Sequence, residues 1–515
     1  MPQPLSSPGR TTENPDTTPQ RRERRRWFIR GTLLALALAW LGTAIWQMSK
    51  PLPDGTDIAS SWSETPLEQV RLLTDLTVTD GRERLLVRQQ IFDEVLRVID
   101  AAQEFIVLDW FLFNDHRGPA STQAPAPYRA LSAQLRDRLI ARRQARPELR
   151  VLFITDPVND IYGSVPSSDL AALREAGVEV VVTDLDRLRD SNPIYSALWR
   201  LTARWWADAE PGEGVLANPL DTGPEQVSLG AWLRLLNFKA NHRKLLVADD
   251  GAGALLAIVS SANPHDASSA HSNIALLFSG TTAEAALVSE LAVARFSGWT
   301  GTWPEPRAGL AQVSGEVVRL KFLSEGAIED ALLSEIRAAA QGESIAIAMF
   351  YLSDRDVIDE LVGAAERGVR IRLILDPNKD AFGRVKDGVP NRPVAAELRR
   401  RSSGKIEIRW YRTHGEQFHT KLALVRRADS LWSMLGSANF TRRNLGNYNL
   451  EADVALETAL NTPLAQELVS YFELLWQNDP VALTEYTTDF LTYEDQSFAR
   501  YWRYRLMEAT GMSTF

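Results

Sequence analysis

The sequence predicts an α/β protein of two tandem domains, each a mixed sheet flanked by helices, sharing one pseudo-twofold active site and preceded by one transmembrane helix. Three observations carry this prediction: an apolar run near the N-terminus, a strand-and-helix plan that occurs twice, and two short histidine motifs at matching places in that plan. At 515 residues the chain is too long for a single core.

The N-terminal elements come first. Residues 1–26 read as a disordered basic cytoplasmic tail: Met1 to Gln20 is rich in Pro, Ser, Thr and Gln, and Arg21, Arg22, Arg24, Arg25 and Arg26 follow. Residues 27–48 read as a membrane anchor. Gly31 to Trp46 is almost entirely apolar, and Trp27, Phe28 and Ile29 bring it to the ~20 residues that a spanning helix needs. Arg30 can snorkel to the interface. Arginines before the span and few basic residues just after it predict a cytoplasmic N-terminus and a body on the other side. A cleaved signal, with Gly42 and Ala44 at the cleavage positions, and a twin-arginine signal at Arg25-Arg26 are the competing readings.

The repeat sets the architecture of the rest. In the first half a helix over Ile91 to Ala102 leads to a strand ending Trp110-Phe111-Leu112-Phe113-Asn114-Asp115. In the second, a helix over Ile328 to Ala340 leads to a strand ending Met349-Phe350-Tyr351-Leu352-Ser353-Asp354. Further helices, Tyr128 to Arg143 and Asp356 to Arg367, lead through strands into the turns Asp156-Pro157-Val158-Asn159-Asp160-Ile161-Tyr162-Gly163 and Asp376-Pro377-Asn378-Lys379-Asp380-Ala381-Phe382-Gly383. The domains are placed at 60–300 and 308–515, with the linker in the Trp- and Pro-bearing stretch Ser297 to Pro306. The first half also carries an insertion with Trp199, Trp205, Trp206 and Trp232 among Arg200, Arg204 and Arg234. It reads either as a membrane-interface surface or as ordinary core tryptophans.

Chemistry concentrates at two motifs. His242-Arg243-Lys244 opens an apolar strand that ends at Asp249, and Ser260-Ser261-Ala262-Asn263 follows. His419-Thr420-Lys421 opens the other, and Gly436-Ser437-Ala438-Asn439 follows. Residues two apart on a strand share a face, so each His and Lys project together. Two such halves supply one histidine to attack phosphorus and one to protonate the leaving oxygen. Lys244, Lys421, Ser261, Asn263, Ser437 and Asn439 are expected to hold the phosphate oxygens. This scheme calls for no metal and no cofactor.

Composition narrows the substrate. Cysteine is absent, which excludes disulfides, thiol catalysis and cysteine-ligated zinc. The net charge is −9, and the N-terminal arginines make the remainder more acidic still, so nucleic acid is not the expected partner.

The paired His-x-Lys motifs, each followed by Ser-x-Asn, resemble the phospholipase D superfamily, and with the N-terminal span are most similar to bacterial cardiolipin synthases and related phospholipase D-like membrane proteins. The resemblance implies a phosphohistidine intermediate resolved by water or an alcohol, a phospholipid substrate within a bilayer, and a bacterial inner-membrane location with periplasmic or extracellular catalytic domains. It also assigns a family Asp to Asp249. The second half has Arg426 there, with Asp429 out of register. A downstream acidic residue that orients the histidine is matched by Glu451, assigned to His419, whereas Ala275 stands at that place in the first half. On this basis His419 is expected as nucleophile and His242 as general acid. His265, Asp266 and His271 either orient His242 or cap a turn; a metal site there has no fixed geometry. Asp489 to Met512, with Trp502 and Arg503, reads as a lid, a membrane-lying helix or a docking helix. An exported nuclease of the same superfamily and a decayed lipid-binding protein are the alternative functions.

Overall fold

The computed structural model describes residues 19–80, 84–116, 128–207, 214–220, 225–303, 315–381, 384–479, 484–513 and 515. The expected disordered tail up to residue 18, linker residues 304–306 and residues 382–383 of the second turn lie outside them.

The chain opens with helix α1 (Pro19–Ser49). It starts inside the segment expected to be a disordered tail, because arginine is a good helix former and nothing between Gln20 and Ser49 breaks the hydrogen-bond ladder. Residues 22–49 are long and apolar enough to cross a membrane, with a mean hydropathy of 1.7 over the most apolar window, of which only 6% is buried against the protein.

The first half then runs β1 (Ser63–Pro66), β2 (Arg71–Thr79), β3 (Leu85–Arg88), α2 (Ile91–Ala101), β4 (Phe105–Trp110), α3 (Leu131–Ala145), β5 (Arg150–Thr155), α4 (Ser168–Glu175) and β6 (Glu179–Val182). The insertion contributes α5 (Pro193–Leu201), the short pair β7 (Leu216–Ala217) and β8 (Gln226–Val227), and α6 (Leu229–Leu235). The half closes with β9 (Lys244–Asp249), β10 (Leu255–Ser260), β11 (Asn273–Ser279) and α7 (Thr281–Phe296).

The second half is β12 (Val317–Ser324), α8 (Gly326–Ala338), β13 (Ser344–Met349), α9 (Arg355–Glu366), β14 (Arg370–Leu375), the pair β15 (Asp380–Ala381) and β16 (Arg384–Val385), α10 (Asn391–Arg401) and β17 (Ile406–Tyr411). It continues with β18 (Lys421–Arg426), β19 (Ser430–Gly436), α11 (Arg442–Leu445), β20 (Ala452–Ala459), α12 (Pro463–Gln477), β21 (Thr487–Asp489) and α13 (Phe498–Thr510).

Two large sheets follow the same plan. One is ordered β3-β2-β11-β10-β9-β4-β5-β6, the other β1-β12-β20-β19-β18-β13-β14-β17-β21. Seven consecutive strands match, from β2 with β12 through β9 with β18 to β6 with β17. In both sheets the three strands at the crossover end pair parallel and the histidine strand pairs antiparallel. The central strands are near-continuous apolar runs, as burial on both faces demands. One apolar cluster joins the facing sheets with α7 and α12, drawing on Leu152, Phe278, Leu287, Leu456 and Phe472. The outer faces are covered by α2 and α3 on one side and by α8, α9 and α10 on the other. Strand β1 precedes the first sheet in sequence yet pairs with β12 of the second, so the halves are interlocked.

Candidate active site

The two histidine strands meet where the halves cross-brace each other. The His242 amide donates to Leu450 O and the His419 amide donates to Ser272 O, each at 2.9 Å, so each histidine segment hydrogen-bonds to the stretch preceding a core strand of the other half. The Asp-Pro turns hold the residue before each histidine: Asp156 accepts from Asn241 N and Asp376 from Phe418 N, both at 2.7 Å. Burial pushes both carboxyls up to about 7. The repeated turns seen in the sequence therefore position the histidines.

A phenylalanine and a lysine surround each ring in the same way. Phe111 packs against His242 at 4.9 Å and Phe350 against His419 at 5.0 Å, ring centre to ring centre. Lys244 and Lys421 sit over the same phenylalanines, at 5.2 and 5.4 Å, and donate back to the carbonyls of His242 and His419. The two lysines are fully buried beneath the histidines. Phe111 and Phe350 were not singled out from sequence, although each closes its strand at the same step of the repeat.

The group that orients each ring breaks the symmetry and corrects the sequence reading. Glu451 accepts a hydrogen bond from His242 Nδ1, with its two oxygens at 2.8 and 3.0 Å, and makes none to His419. His419 Nδ1 instead lies 3.1 Å from Asn273 Oδ1. Asn273, not Ala275, is the counterpart of Glu451: Ser437 donates to Glu451, and Ser261 donates to Asn273 at 3.0 Å. The orienting contact crosses between halves because the residue after the bracing stretch points at the neighbour's ring.

Those bonds also relocate the serines. Ser261 and Ser437 are fully buried behind the orienting groups and do not line the pocket, whereas Asn263 and Asn439 do. Asp249 stands at the far end of β9, where it accepts from the amides of Gln103, Glu104, Phe105 and Gly251 at 2.8 to 3.0 Å. It caps the turn into β4 and has no contact with the chemistry. Arg426 ends β18 at the equivalent place, and there Glu343 caps its own turn through Ala340 N.

His265, Asp266 and His271 do not orient His242. His265 bonds to His116 O and Ser268, and Asp266 accepts from Ser132. His271 accepts from Gln417 N and packs 5.9 Å from His419. Among the described residues no cluster of three His, Asp or Glu side chains is arranged to hold a metal ion.

The histidines open into a cavity of about 380 Å3 whose wall includes Leu220, Leu235 and Phe238 of the insertion, Arg443 and Phe515. The C-terminal segment is a docking helix: Tyr504 of α13 is buried and bonds Glu397 and Arg355, while Arg443 donates to Gly511 O and Ser513 O. Burial, opposed by Glu451, lowers His242 to about 4, and burial with Lys421 holds His419 well below its ordinary value. Burial lowers Lys244 to about 7; burial and the nearby Lys244 lower Lys421. For Glu451, burial is outweighed by His242, Lys244 and Ser437, so its carboxyl falls below the ordinary value. The pocket thus presents two neutral imidazoles, one held by a carboxylate.

A family model described as cardiolipin synthase, PLD-like domain, matches residues 332–476. No curated protein matches the sequence. Phosphatidylserine synthase from Haemophilus influenzae Rd KW20 has a similar fold over 90% of this chain and 98% of its own, at 12% identity and a TM-score of 0.52. Polyphosphate kinase from Porphyromonas gingivalis aligns over 87% of this chain at 14% identity and a TM-score of 0.44, and the chain spans about half, 54%, of that protein's length. The phospholipase D family member Nuc from Salmonella typhimurium aligns over 34% of this chain and 99% of its own, at 20% identity and a TM-score of 0.25. The second half thus matches a phospholipase D-like domain of the cardiolipin synthase type, and the first half repeats its strand plan and histidine environment, within a fold similar over its whole length to that of the phosphatidylserine synthase.

Proposed function

We propose that the protein cleaves a phospholipid phosphodiester through a phosphohistidine on His242 and passes the phosphatidyl group to an alcohol or to water. The observation that carries this reading is the Glu451 contact. A carboxylate on Nδ1 fixes the imidazole tautomer and leaves Nε2 with a free lone pair, as a nucleophile requires. His242 Nε2 attacks phosphorus while His419 gives a proton to the leaving oxygen. In the second step the acceptor hydroxyl returns its proton to His419 and attacks phosphorus, and the P–N bond to His242 breaks.

His419 is neutral in the free protein, so its proton must come with the substrate. A phosphodiester anion between the rings adds the negative charge that favours imidazolium. Lys244 and Lys421, buried below the rings, supply positive potential to the same oxygens, and Asn263 and Asn439 offer amides at the wall. The apolar wall of Leu220, Leu235, Phe238 and Phe515, with the acidic net charge, favours a lipid over a nucleic acid.

The test is a rapid-quench reaction of full-length protein with phosphatidylglycerol vesicles, read by mass spectrometry. Phosphatidyl adduct is expected on His242, and it should accumulate when the acceptor step is slowed. Adduct on His419 would overturn the assignment, and cleavage of single-stranded DNA but not lipid would favour the nuclease. Neither adduct nor product would favour a binding protein with a decayed site.

A further inference from the structure

The insertion helix α5 packs on α1 at a definite depth. The face of α1 formed by Trp40, Thr43, Ala44, Gln47 and Met48 is the covered one, and Trp40 Nε1 donates to Ile194 O at 3.1 Å. Trp40 precedes Trp46, the tryptophan expected at the interface, by six positions, which is about 9 Å along a helix. The contacts nearer the body are polar: Asp190 N to Gln47 O at 3.0 Å, Lys50 Nζ to Asp186 O at 2.7 Å and Arg189 Nε to Lys50 O at 2.8 Å. These three contacts lie at the body end of α1, where headgroups are expected, and the covered face continues from there to Trp40.

The other side of α5 is uncovered and apolar. Ile194, Leu198 and Leu201 recur at i, i+4 and i+7 with 46, 54 and 43% exposure, and Trp205 and Trp206 follow at 76 and 64%. The polar residues of the helix turn inward, where Arg200 is buried and bonded to Asp190 at 2.7 Å. Such a face would be costly in water and is favourable in the outer 5–10 Å of a bilayer.

We propose that α5 and the turn that follows it lie in the membrane leaflet beside α1, with Ile194, Leu198 and Leu201 among acyl chains and Trp205 and Trp206 near the headgroups. This rests on α1 spanning the membrane. The occupant of the face is lipid, because the face is continuous with the spanning helix and sits at the depth of its apolar half. The consequence reaches the active site: Tyr195 of α5 donates to Leu233 O of α6 at 2.7 Å, and α6 ends two residues later at Leu235 in the pocket wall. The pocket mouth is thereby held at headgroup level, where a phospholipid enters without leaving the bilayer.

The chain has no cysteine, so single cysteines can be labelled cleanly in the full-length protein. Leu198→Cys and Trp206→Cys, each carrying an environment-sensitive fluorophore, are reconstituted into phosphatidylglycerol vesicles with and without acyl-chain-brominated lipid. Leu38→Cys, in the middle of α1, reports the anchor, and Gln341→Cys, exposed in the turn before β13 at the end of that strand opposite the pocket, reports bulk solvent. Both test positions should be quenched, Leu198→Cys more strongly than Trp206→Cys, while Gln341→Cys is not. Quenching of Leu38→Cys alone overturns the proposal and leaves the anchor standing. Quenching at none of the four positions overturns the anchor and this proposal with it.

Discussion

Replacing Glu451 by Gln tests the orienting contact with almost no change of shape. The carboxylate accepts from three donors, His242 Nδ1, Ser437 Oγ and Asn444 Nδ2, and all of these groups are buried. A glutamine keeps one accepting oxygen and turns an NH2 toward at least one donor. Losing one charge-assisted hydrogen bond, and burying a mismatched donor pair, costs about 2–4 kcal/mol of stability. The larger effect falls on the reaction. Without the carboxylate the His242 tautomer is no longer fixed and the imidazolium-like charge that forms on attack is no longer balanced. A carboxylate-to-amide change of this kind lowers turnover by about 10^2–10^4, or roughly 3–5 kcal/mol. The assay is single-turnover formation of the His242 adduct at a temperature where circular dichroism shows Glu451→Gln to be folded. Adduct formation at the wild-type rate in folded Glu451→Gln would refute the orienting role and, with it, the reason for choosing His242.

Four further outcomes follow from the same geometry. His419→Asn should be rescued by a substrate whose leaving alcohol is acidic, such as a nitrophenyl phosphodiester, while His242→Asn should not; equal rescue would contradict the division of roles. The kcat/KM profile should fall as pH drops through about 4, where His242 becomes protonated, and should decline with rising pH above that because His419 takes up a proton with the substrate, more steeply beyond about 7, where Lys244 loses its charge; an acid limb at the ordinary histidine value would show that His242 is not held neutral. Calorimetry in buffers of different ionisation enthalpy should record uptake of roughly one proton on binding a non-hydrolysable phosphodiester, since His419 must gain one, and no uptake would remove it as acid. Asp249→Asn should lower stability by about 2–4 kcal/mol, because its amide would face backbone donors that the carboxylate accepts, and should leave turnover of the folded protein unchanged; a large fall in kcat would return Asp249 to the site.

The doubled plan, the apolar helix and the His-x-Lys motifs were legible in the sequence. Strand alternation places His and Lys together, burial on both faces writes a central strand as an unbroken apolar run, and a repeated Asp-Pro turn repeats a local backbone. What escaped was every contact between the halves. Counting from Ser437 to Glu451 and applying the same interval after Ser261 leads to Ala275. The segment between serine and orienting residue is two residues shorter in the first half, 12 against 14, so the counterpart is Asn273.

The pairing of each histidine with its lysine on one strand was therefore determined by the sequence alone, because local backbone geometry is periodic and two copies of one pattern corroborate each other. Which carboxylate serves which histidine was decided only by the tertiary structure. Glu451 and His242 are 209 residues apart, and they meet because Leu450 braces the His242 segment of the opposite half. The burial of Lys244 and Lys421 beneath their rings, and of Ser261 and Ser437 behind the orienting groups, was decided in the same way. A strand pattern reports which face a side chain takes, but how deep that face lies depends on what the other half lays over it.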